Sequence, residues 1–391
     1  MWHNGLVPLR VDDITDAAFA EILREAHSFT DTAARALHFA GGSFQEIHAQ
    51  LLHQGGIAAN ELGLVPTDVD CLVYPNQYEP LKLHSGVSGI YNEEVLRIQT
   101  EGAAVHALQL RSGVEIQLAP DDILVLCGGA LGTPGSVSTL VQDDSVGLGL
   151  VDHPMGFVGK VRFKPRYRDA ASKIAWAKGN GLSHRSPIRV KSECGRFTGC
   201  AFLWPSATMD NKLSIHKFKS LLGASSGLSR VKNALDKRLV HPDILLEIVT
   251  HLTKREYRGD IYSILFIGEQ KRGAHRVFNR SGQLVIDWTV AEEEVRIIRG
   301  MLDTLVRRLE PALEDANVRV DVDNDWLWSC AHHSGTISAG PNGLVDAEHR
   351  LTGFDNVYVC DASVIQEHSY ANTGLTITEF AERLAHHLLM S

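Results

Sequence analysis

The chain lacks any paired-cysteine motif. Its 391 residues include six cysteines with no Cys-x-x-Cys spacing, and no histidines stand at zinc-finger spacing. This pattern indicates neither a disulfide framework nor a structural metal site. Cys194 and Cys200 could meet across a turn, but we expect reduced thiols and no metal. The cysteines are Cys71, Cys127, Cys194, Cys200, Cys330 and Cys360.

Long apolar runs and basic runs are also missing. No stretch of 18 apolar residues occurs, and the first eight residues lack the basic and apolar regions of a secretory leader. We therefore expect a cytoplasmic, soluble protein. The net charge of −9 argues against nucleic-acid and anionic-membrane partners, because neither is attracted by an acidic surface. The composition, 44% hydrophobic and 22% charged, is that of a globular chain with one large or two medium domains.

The first half changes from helical to strand-like patterns. Residues 12–40 repeat apolar positions at helical spacing, and Ser43-Phe44-Gln45-Glu46 is typical of a capping box that opens a second helix. Short strands are predicted from Cys71 onward, the first of them at Leu72–Tyr74. The apolar run Ile123–Cys127 predicts a strand covered on both faces, and the glycine-rich Gly128–Pro134 lets backbone approach closely. Either a glycine here faces a cofactor or the segment is a plain tight turn.

The second half mixes strands with two strong helices. Residues 156–290 contain long strand-like stretches, whereas residues 291–310 carry apolar side chains at three- and four-residue steps and predict an amphipathic helix. Asn356–Cys360 predicts a further buried strand before a C-terminal helix. Helices, sheets and a returning strand-helix pair indicate interleaved layers of an α+β or α/β fold.

Polar residues near the C-terminus form a chemically coherent set. His332 can take a proton at neutral pH, the Asn372 amide can hold the same oxygen, and the helix after Asn372 presents its positive end to an anion. This combination suits oxidation of an alcohol. Simpler interpretations remain: a histidine that only satisfies core hydrogen bonds, and an asparagine that only caps a helix.

Several segments, in order, resemble the glucose-methanol-choline (GMC) family of flavin oxidoreductases. In that family His-x-x-Gly-Thr precedes a Val-Asp, a Gly-x-x-Asn-Leu-x-Val strand, an Asp-x-Ser turn and an Asn or His before the last helix. The matching segments are His332–Thr336, Val345-Asp346, Gly353–Val359, Asp361–Ser363 and Asn372-Thr373, with Gly128–Pro134 and Asp152–Met155 upstream.

The resemblance implies FAD as cofactor and a reaction at a CH–OH group of a sugar, glycoside or polyol. His332 would remove the hydroxyl proton while hydride passes to flavin N5, and Asn372 would bind the same oxygen. The positions that the resemblance places against the cofactor are Val95, Gly129, Ala130, Asp361, Ala362, Asn372, Thr373 and Leu375.

One family feature is absent: no Gly-x-Gly-x-x-Gly motif follows a first strand. We therefore expect an incomplete Rossmann-like FAD-binding domain over residues 1–155, interleaved with a substrate domain over 156–325 built on a mainly antiparallel sheet backed by helices. Residues 326–391 would complete the FAD-binding domain. The missing unit indicates an incomplete chain, a partner polypeptide that supplies it, or a degenerate protein without catalysis. A non-catalytic binding subunit is the rival hypothesis.

Overall fold

The structure, a computed structural model, describes residues 5–75, 86–90, 92–179, 181–210, 242–243, 246, 257, 259–280, 283–318 and 327–390. The α-helices are α1 (Ala17–Ala26), α2 (Thr30–Ala36), α3 (Phe44–Glu61), α4 (Gly129–Val137), α5 (Arg168–Ala175), α6 (Glu292–Leu309) and α7 (Thr373–Met390). Within these described ranges, no helix has the length and apolar character needed to cross a bilayer.

The strands are short in the first third of the chain and longer in the middle. They are β1 (Leu72–Tyr74), β2 (Val95–Glu101), β3 (Ala104–Leu110), β4 (Glu115–Gln117), β5 (Leu124–Leu126), β6 (Pro154–Phe163), β7 (Ala177–Gly179), β8 (Leu182–Arg185), β9 (Ile188–Lys191), β10 (Thr198–Pro205), β11 (Ile261–Gly268), β12 (Arg276–Arg280), β13 (Gln283–Asp287), β14 (Leu313–Val318), β15 (Trp328–Ser329) and β16 (Val357–Val359).

Side chains cap two of the N-terminal helices, and the cap of α3 is the one predicted at Ser43. The Asp16 carboxylate accepts the backbone N–H groups of Ala18 and Phe19 and so caps α1. Ser43 Oγ accepts the N–H of Glu46 at 3.2 Å at the start of α3. Each cap satisfies donors that the first helical turn leaves unpaired, so the chain has a local reason to become helical there.

The largest sheet is antiparallel, with the order β14-β6-β11-β10-β9, and β15 pairs with β6. Helix α6 packs on it through its predicted apolar side, since Val295, Ile298, Leu302, Leu305 and Leu309 are all buried in the same core as the sheet. The predicted antiparallel sheet backed by helices is confirmed. The helix period explains the arrangement, because a 3.6-residue repeat places these side chains on one face.

Two short strands form a separate parallel pair. Strand β16 pairs with β5 in the register Val357 to Leu124, Tyr358 to Val125 and Val359 to Leu126. The strand predicted at Ile123–Cys127 was expected to be covered on both faces, and that expectation is wrong for one face. Ile123 is 42% exposed and Val125 37% exposed. Alternation along a strand puts both on one side, and no described element covers that side.

Contacts between residues that are distant in sequence join these layers. Strand β1, from the N-terminal part, pairs with β8 from the middle of the chain. Asn356, just before β16, is buried and exchanges two 2.9 Å hydrogen bonds with the backbone of Val105 on β3. The chain therefore interleaves its early and late segments and does not form two separate units, as the element pattern predicts.

Candidate active site

The Asp361 carboxylate joins two turns that follow the parallel strands. Oδ2 accepts the backbone N–H of Gly129 at 2.8 Å and the hydroxyl of Thr133 at 2.5 Å. Oδ1 accepts the N–H of Ser363 at 2.7 Å. In a parallel sheet the carboxyl ends of strands share one edge, which is the usual place for a ligand. The structure therefore brings together Asp361 and Gly129, both predicted from the sequence to contact a cofactor.

The glycine-rich turn presents open backbone to its surroundings. Gly129 has φ +71°, and a Cβ added there or at Gly132 would meet no atom within 4 Å. Gly128, the residue before α4, has no side chain to cap the helix, and the Asp361 carboxylate accepts the N–H of Gly129 instead. The hydroxyl of Ser363, on the adjacent turn, is buried and has no hydrogen-bond partner among the described residues. Open space beside the start of α4 and an unsatisfied hydroxyl fit a phosphate-bearing or flat aromatic group, such as the flavin nucleotide that the resemblance implies.

The Gly-Thr after the histidine pair packs against the same turns. Thr336 Oγ1 donates to the Ala130 carbonyl at 2.8 Å, and the N–H of Gly335 donates to the Ala362 carbonyl at 3.3 Å. A Cβ at position 335 would lie 2.5 Å from the Gly149 carbonyl oxygen. Glycine is therefore required at 335 for this close approach. Ala130 and Ala362, two further predicted positions, lie at the junction.

The buried carboxylate of Asp152 positions the histidine pair. Its Oδ1 accepts the backbone N–H of His332 at 2.9 Å and that of His153 at 2.7 Å. Its Oδ2 accepts the hydroxyl of Ser329 and lies 3.5 Å from Nε2 of His333. The carboxylate thus fixes the backbone on both sides of the site through charge-assisted hydrogen bonds.

His332 faces a second histidine. The Nδ1 atoms of His153 and His332 are 3.1 Å apart, and the ring planes are nearly perpendicular. Burial lowers the pKa of His332, and of His153 well below its usual value. Because burial disfavours the charged form, both imidazoles are neutral near pH 7. Within the described part of the chain, Nε2 of His332 makes no hydrogen bond, so this nitrogen is left for an external group.

A third imidazole completes the cluster. The ring of His368 is fully buried, with its centroid 4.0 Å from that of His153. Desolvation lowers the pKa of His368 to about 3, so its ring is neutral as well. Among the described residues neither of its nitrogens has a hydrogen-bond partner of ordinary geometry, and backbone contacts with Ser369 and Val151 offset the lowering of its pKa only in part.

Asn372 lies just before α7 and makes a different contact from the predicted one. Its Nδ2 donates to the Gly5 carbonyl at 3.0 Å. Among the contacts of the described residues, none joins its amide to His332. The predicted convergence of Asn372 and His332 on one substrate oxygen therefore stays a prediction. The alternative function of Asn372, a helix cap, is compatible with its place directly before the first helical residue, Thr373.

The remaining predicted cofactor positions are dispersed. Thr373 is buried in the first turn of α7. Leu375 packs in an apolar core with Leu51 and Cys71, so only its backbone is available to a ligand. Val95 is 46% exposed at the start of β2, in a different sheet. The structure thus groups Gly129, Ala130, Asp361 and Ala362 and places the other positions outside that junction.

Sequence reasoning missed three residues of the site: Asp152, His153 and His368. The first two belong to the Asp-His-Pro segment, which was recognised only as a family motif. A buried carboxylate directly before a histidine was the available signal. His368 stands in no motif, and its closeness to His153 comes from folding alone.

Residues 276–381 match the family model of the GMC oxidoreductases, in its C-terminal part. The family resemblance drawn from the sequence motifs is therefore confirmed over this segment. No curated protein matches the chain's sequence.

Solved structures resemble the fold. A pyridoxine 4-oxidase from Mesorbium loti matches with a TM-score of 0.51 and 17% identity, over 87% of this chain and 70% of its own. A formate oxidase matches with a TM-score of 0.43 and 14% identity, over 76% of this chain and 60% of its own. An FAD-dependent oxidoreductase from Chaetomium thermophilum matches with a TM-score of 0.44 and 13% identity, over 77% of this chain and 61% of its own. Only the pyridoxine 4-oxidase has a TM-score above 0.5, so only its likeness bears on this chain. At 17% identity that likeness shows the fold alone.

Proposed function

We propose, from the premise that residues 276–381 are the C-terminal segment of a GMC oxidoreductase, that the chain is part of an FAD-dependent alcohol oxidoreductase. Its reaction would convert a CH–OH group of a sugar, glycoside or polyol to a carbonyl. The observation that carries this proposal is His332, a neutral imidazole whose Nδ1 faces His153 and whose Nε2 has no partner among the described residues.

The proposed base is Nε2 of His332. If Nδ1 of His332 carries the ring proton and donates it to Nδ1 of His153, then Nε2 holds a lone pair and can accept a hydroxyl proton. This tautomer of His332 requires Nδ1 of His153 to act as the acceptor of the 3.1 Å hydrogen bond between the two rings.

Other residues would bind the cofactor and orient the substrate. The turn at Gly129 and Ala130, held by Asp361, would contact the cofactor through open backbone. Asn372 would hold the substrate oxygen once its amide is released from Gly5. FAD, when bound, supplies a hydride acceptor. A positioned base and an amide donor together lower the barrier to proton removal.

A heteromeric arrangement is the second candidate, and the exposed face of β5 favours it. Parallel sheets are normally covered on both faces, yet Ile123 and Val125 remain exposed and β5 has one described neighbour. We propose that a strand-turn-helix unit with a phosphate-binding glycine motif packs here. It would be supplied by a partner polypeptide or by a preceding segment. A binding subunit without catalysis would need no such unit.

The test is reconstitution. The chain is co-expressed with a polypeptide that carries a Gly-x-Gly-x-x-Gly nucleotide-binding unit, or fused to such a unit, and then assayed for bound FAD and for oxidation of sugars, glycosides, polyols and pyridoxine. We expect a yellow protein in which His332→Gln lowers kcat by about 10²- to 10⁴-fold while FAD stays bound. His333→Gln is the matched control and should cost less than about tenfold. Turnover that survives His332→Gln would contradict the base assignment.

A further inference from the structure

We propose that His153, Cys330 and His332 form a binding site for one soft divalent cation of the zinc class. One ligand atom from each side chain lies within 4.8 Å of the others. The three residues come from two separate segments of the chain. Imidazole and thiolate are the ligands that Zn²⁺ prefers in proteins.

The spacing of the two imidazoles suits a shared ion. Their Nδ1 atoms are 3.1 Å apart. Two nitrogens that each bind an ion at about 2.05 Å are this far apart when the angle at the ion is roughly 100°, close to tetrahedral. A hydrogen bond explains the same distance, but only if one ring donates and the other accepts.

The sulfur atoms of Cys330 and Met155 are neighbours at this cluster. The Cys330 thiol is 3.6 Å from the thioether sulfur of Met155. Cys330 is half-buried, whereas His153 is fully buried. The set therefore offers three strong ligands and one weak one. An ion bound here would keep a position for water or for the Met155 sulfur, as in three-ligand zinc sites.

The surrounding charges suit a cation. Asp152 lies beside both histidines and binds their backbone N–H groups, so it would orient the ligands and offset part of the ion's charge. The cation that faces His368 is Lys271, and it is already paired with Glu269 at 2.8 Å and Glu367 at 3.4 Å. Together with a thiolate at Cys330, the Asp152 carboxylate would balance the charge of a divalent ion.

Metal binding would oppose the proposed oxidation. An ion on Nδ1 of His332 places the remaining ring proton on Nε2 and removes the lone pair that accepts the hydroxyl proton. The site would therefore be inhibitory. This consequence rests on the proposed function, whereas the metal site itself does not.

The test uses the full 391-residue chain without flavin or substrate, so its outcome is independent of the proposed oxidation. Co²⁺ is titrated into the reduced, metal-free protein, and absorbance follows the thiolate-to-cobalt band. Zn²⁺ then competes for the site. We expect one Co²⁺ per chain, displaced by Zn²⁺. Cys330→Ser should abolish the thiolate band and weaken binding at least about tenfold.

Cys194→Ser is the matched control, because Cys194 is an exposed thiol outside the cluster. This variant should bind Co²⁺ like the parent chain. His332→Gln is the second ligand variant, and circular dichroism of each metal-free variant checks folding. Binding that Cys330→Ser and His332→Gln leave unchanged would overturn the proposal, as would the absence of a thiolate band in the folded parent chain.

Discussion

The Nδ1 atoms of His153 and His332 lie 3.1 Å apart although the residues are separated by 179 positions. Two neutral imidazoles at this distance need one donor and one acceptor. The proton therefore occupies one of two arrangements, and only one leaves Nε2 of His332 as a base. The pair links the proposed catalysis to the proposed metal site, because a proton and a metal ion would compete for the same nitrogen.

The pH dependence of turnover should follow His332. Burial lowers its pKa below 6.5, and the Asp152 carboxylate opposes this shift. Since the base must be unprotonated, kcat/KM should rise with pH through this lowered pKa, with a midpoint below pH 6.5. In Asp152→Asn the opposing carboxylate is gone, so the acidic limb should move to lower pH. A limb that moves to higher pH, or stays in place, would contradict the assignment.

Asp361 should contribute substantially to stability. Its carboxylate accepts hydrogen bonds from Gly129, Thr133 and Ser363. Asp361→Ala would leave these donors unpaired and lower the free energy of unfolding by about 3 kcal/mol. Urea denaturation measures the change. Asp144→Ala, at an exposed acidic position, is the control and should change stability by less than about 0.5 kcal/mol. Equal effects of the two substitutions would show that the junction is not stabilised in this way.

Glu269 should make stability depend on pH. Burial raises its pKa from 4.5 to about 7, despite Lys271 at 2.8 Å. Between these two values the folded chain holds a proton that the unfolded chain releases. The free energy of unfolding should therefore fall as pH rises from 4.5 to about 7, by up to about 3 kcal/mol. In Glu269→Gln this contribution should vanish.

Denaturation curves of the parent chain and Glu269→Gln at several pH values provide the measurement. The difference between them isolates Glu269 from the histidines, whose lowered pKa values act in the opposite direction below pH 6.5. A constant difference across this pH range would contradict the prediction.

The exposed face of β5 should be needed for assembly with the nucleotide-binding unit. Val125→Asp would place a charge where an apolar covering element is proposed. We expect the variant chain to fold, because Val125 is already 37% exposed, but to lose FAD retention in the reconstituted protein. Leu284→Asp, on β13 and 53% exposed, is the control. Retention of FAD by Val125→Asp would argue that this face stays in water.

Local patterns predicted the elements well. The apolar repeat over residues 291–310 corresponds to α6, Glu292–Leu309, and the predicted strand Leu72–Tyr74 matches β1. The capping function of Ser43 was also correct. These features depend on side-chain periodicity and on hydrogen bonds within a few residues, which a sequence states directly.

The site was predicted less completely. Motif order identified His332, Gly129 and Asp361, but not that the Asp361 carboxylate binds the Gly129 backbone across 232 positions. The prediction that the strand at Ile123–Cys127 is buried on both faces is wrong for one face, because an apolar run does not reveal how many strands surround that strand. His368 had no signal in the sequence.

The sequence by itself determined where helices and strands form, which residues could carry proton-transfer chemistry, and that residues 276–381 resemble the GMC oxidoreductases. Only the tertiary structure decided that His153 meets His332, that Asp152 fixes both backbones, and that Asn372 binds Gly5. The physical reason is one of distance along the chain. Periodicity and caps act over one or two turns, whereas these contacts join residues that become neighbours only when the sheets and turns pack together.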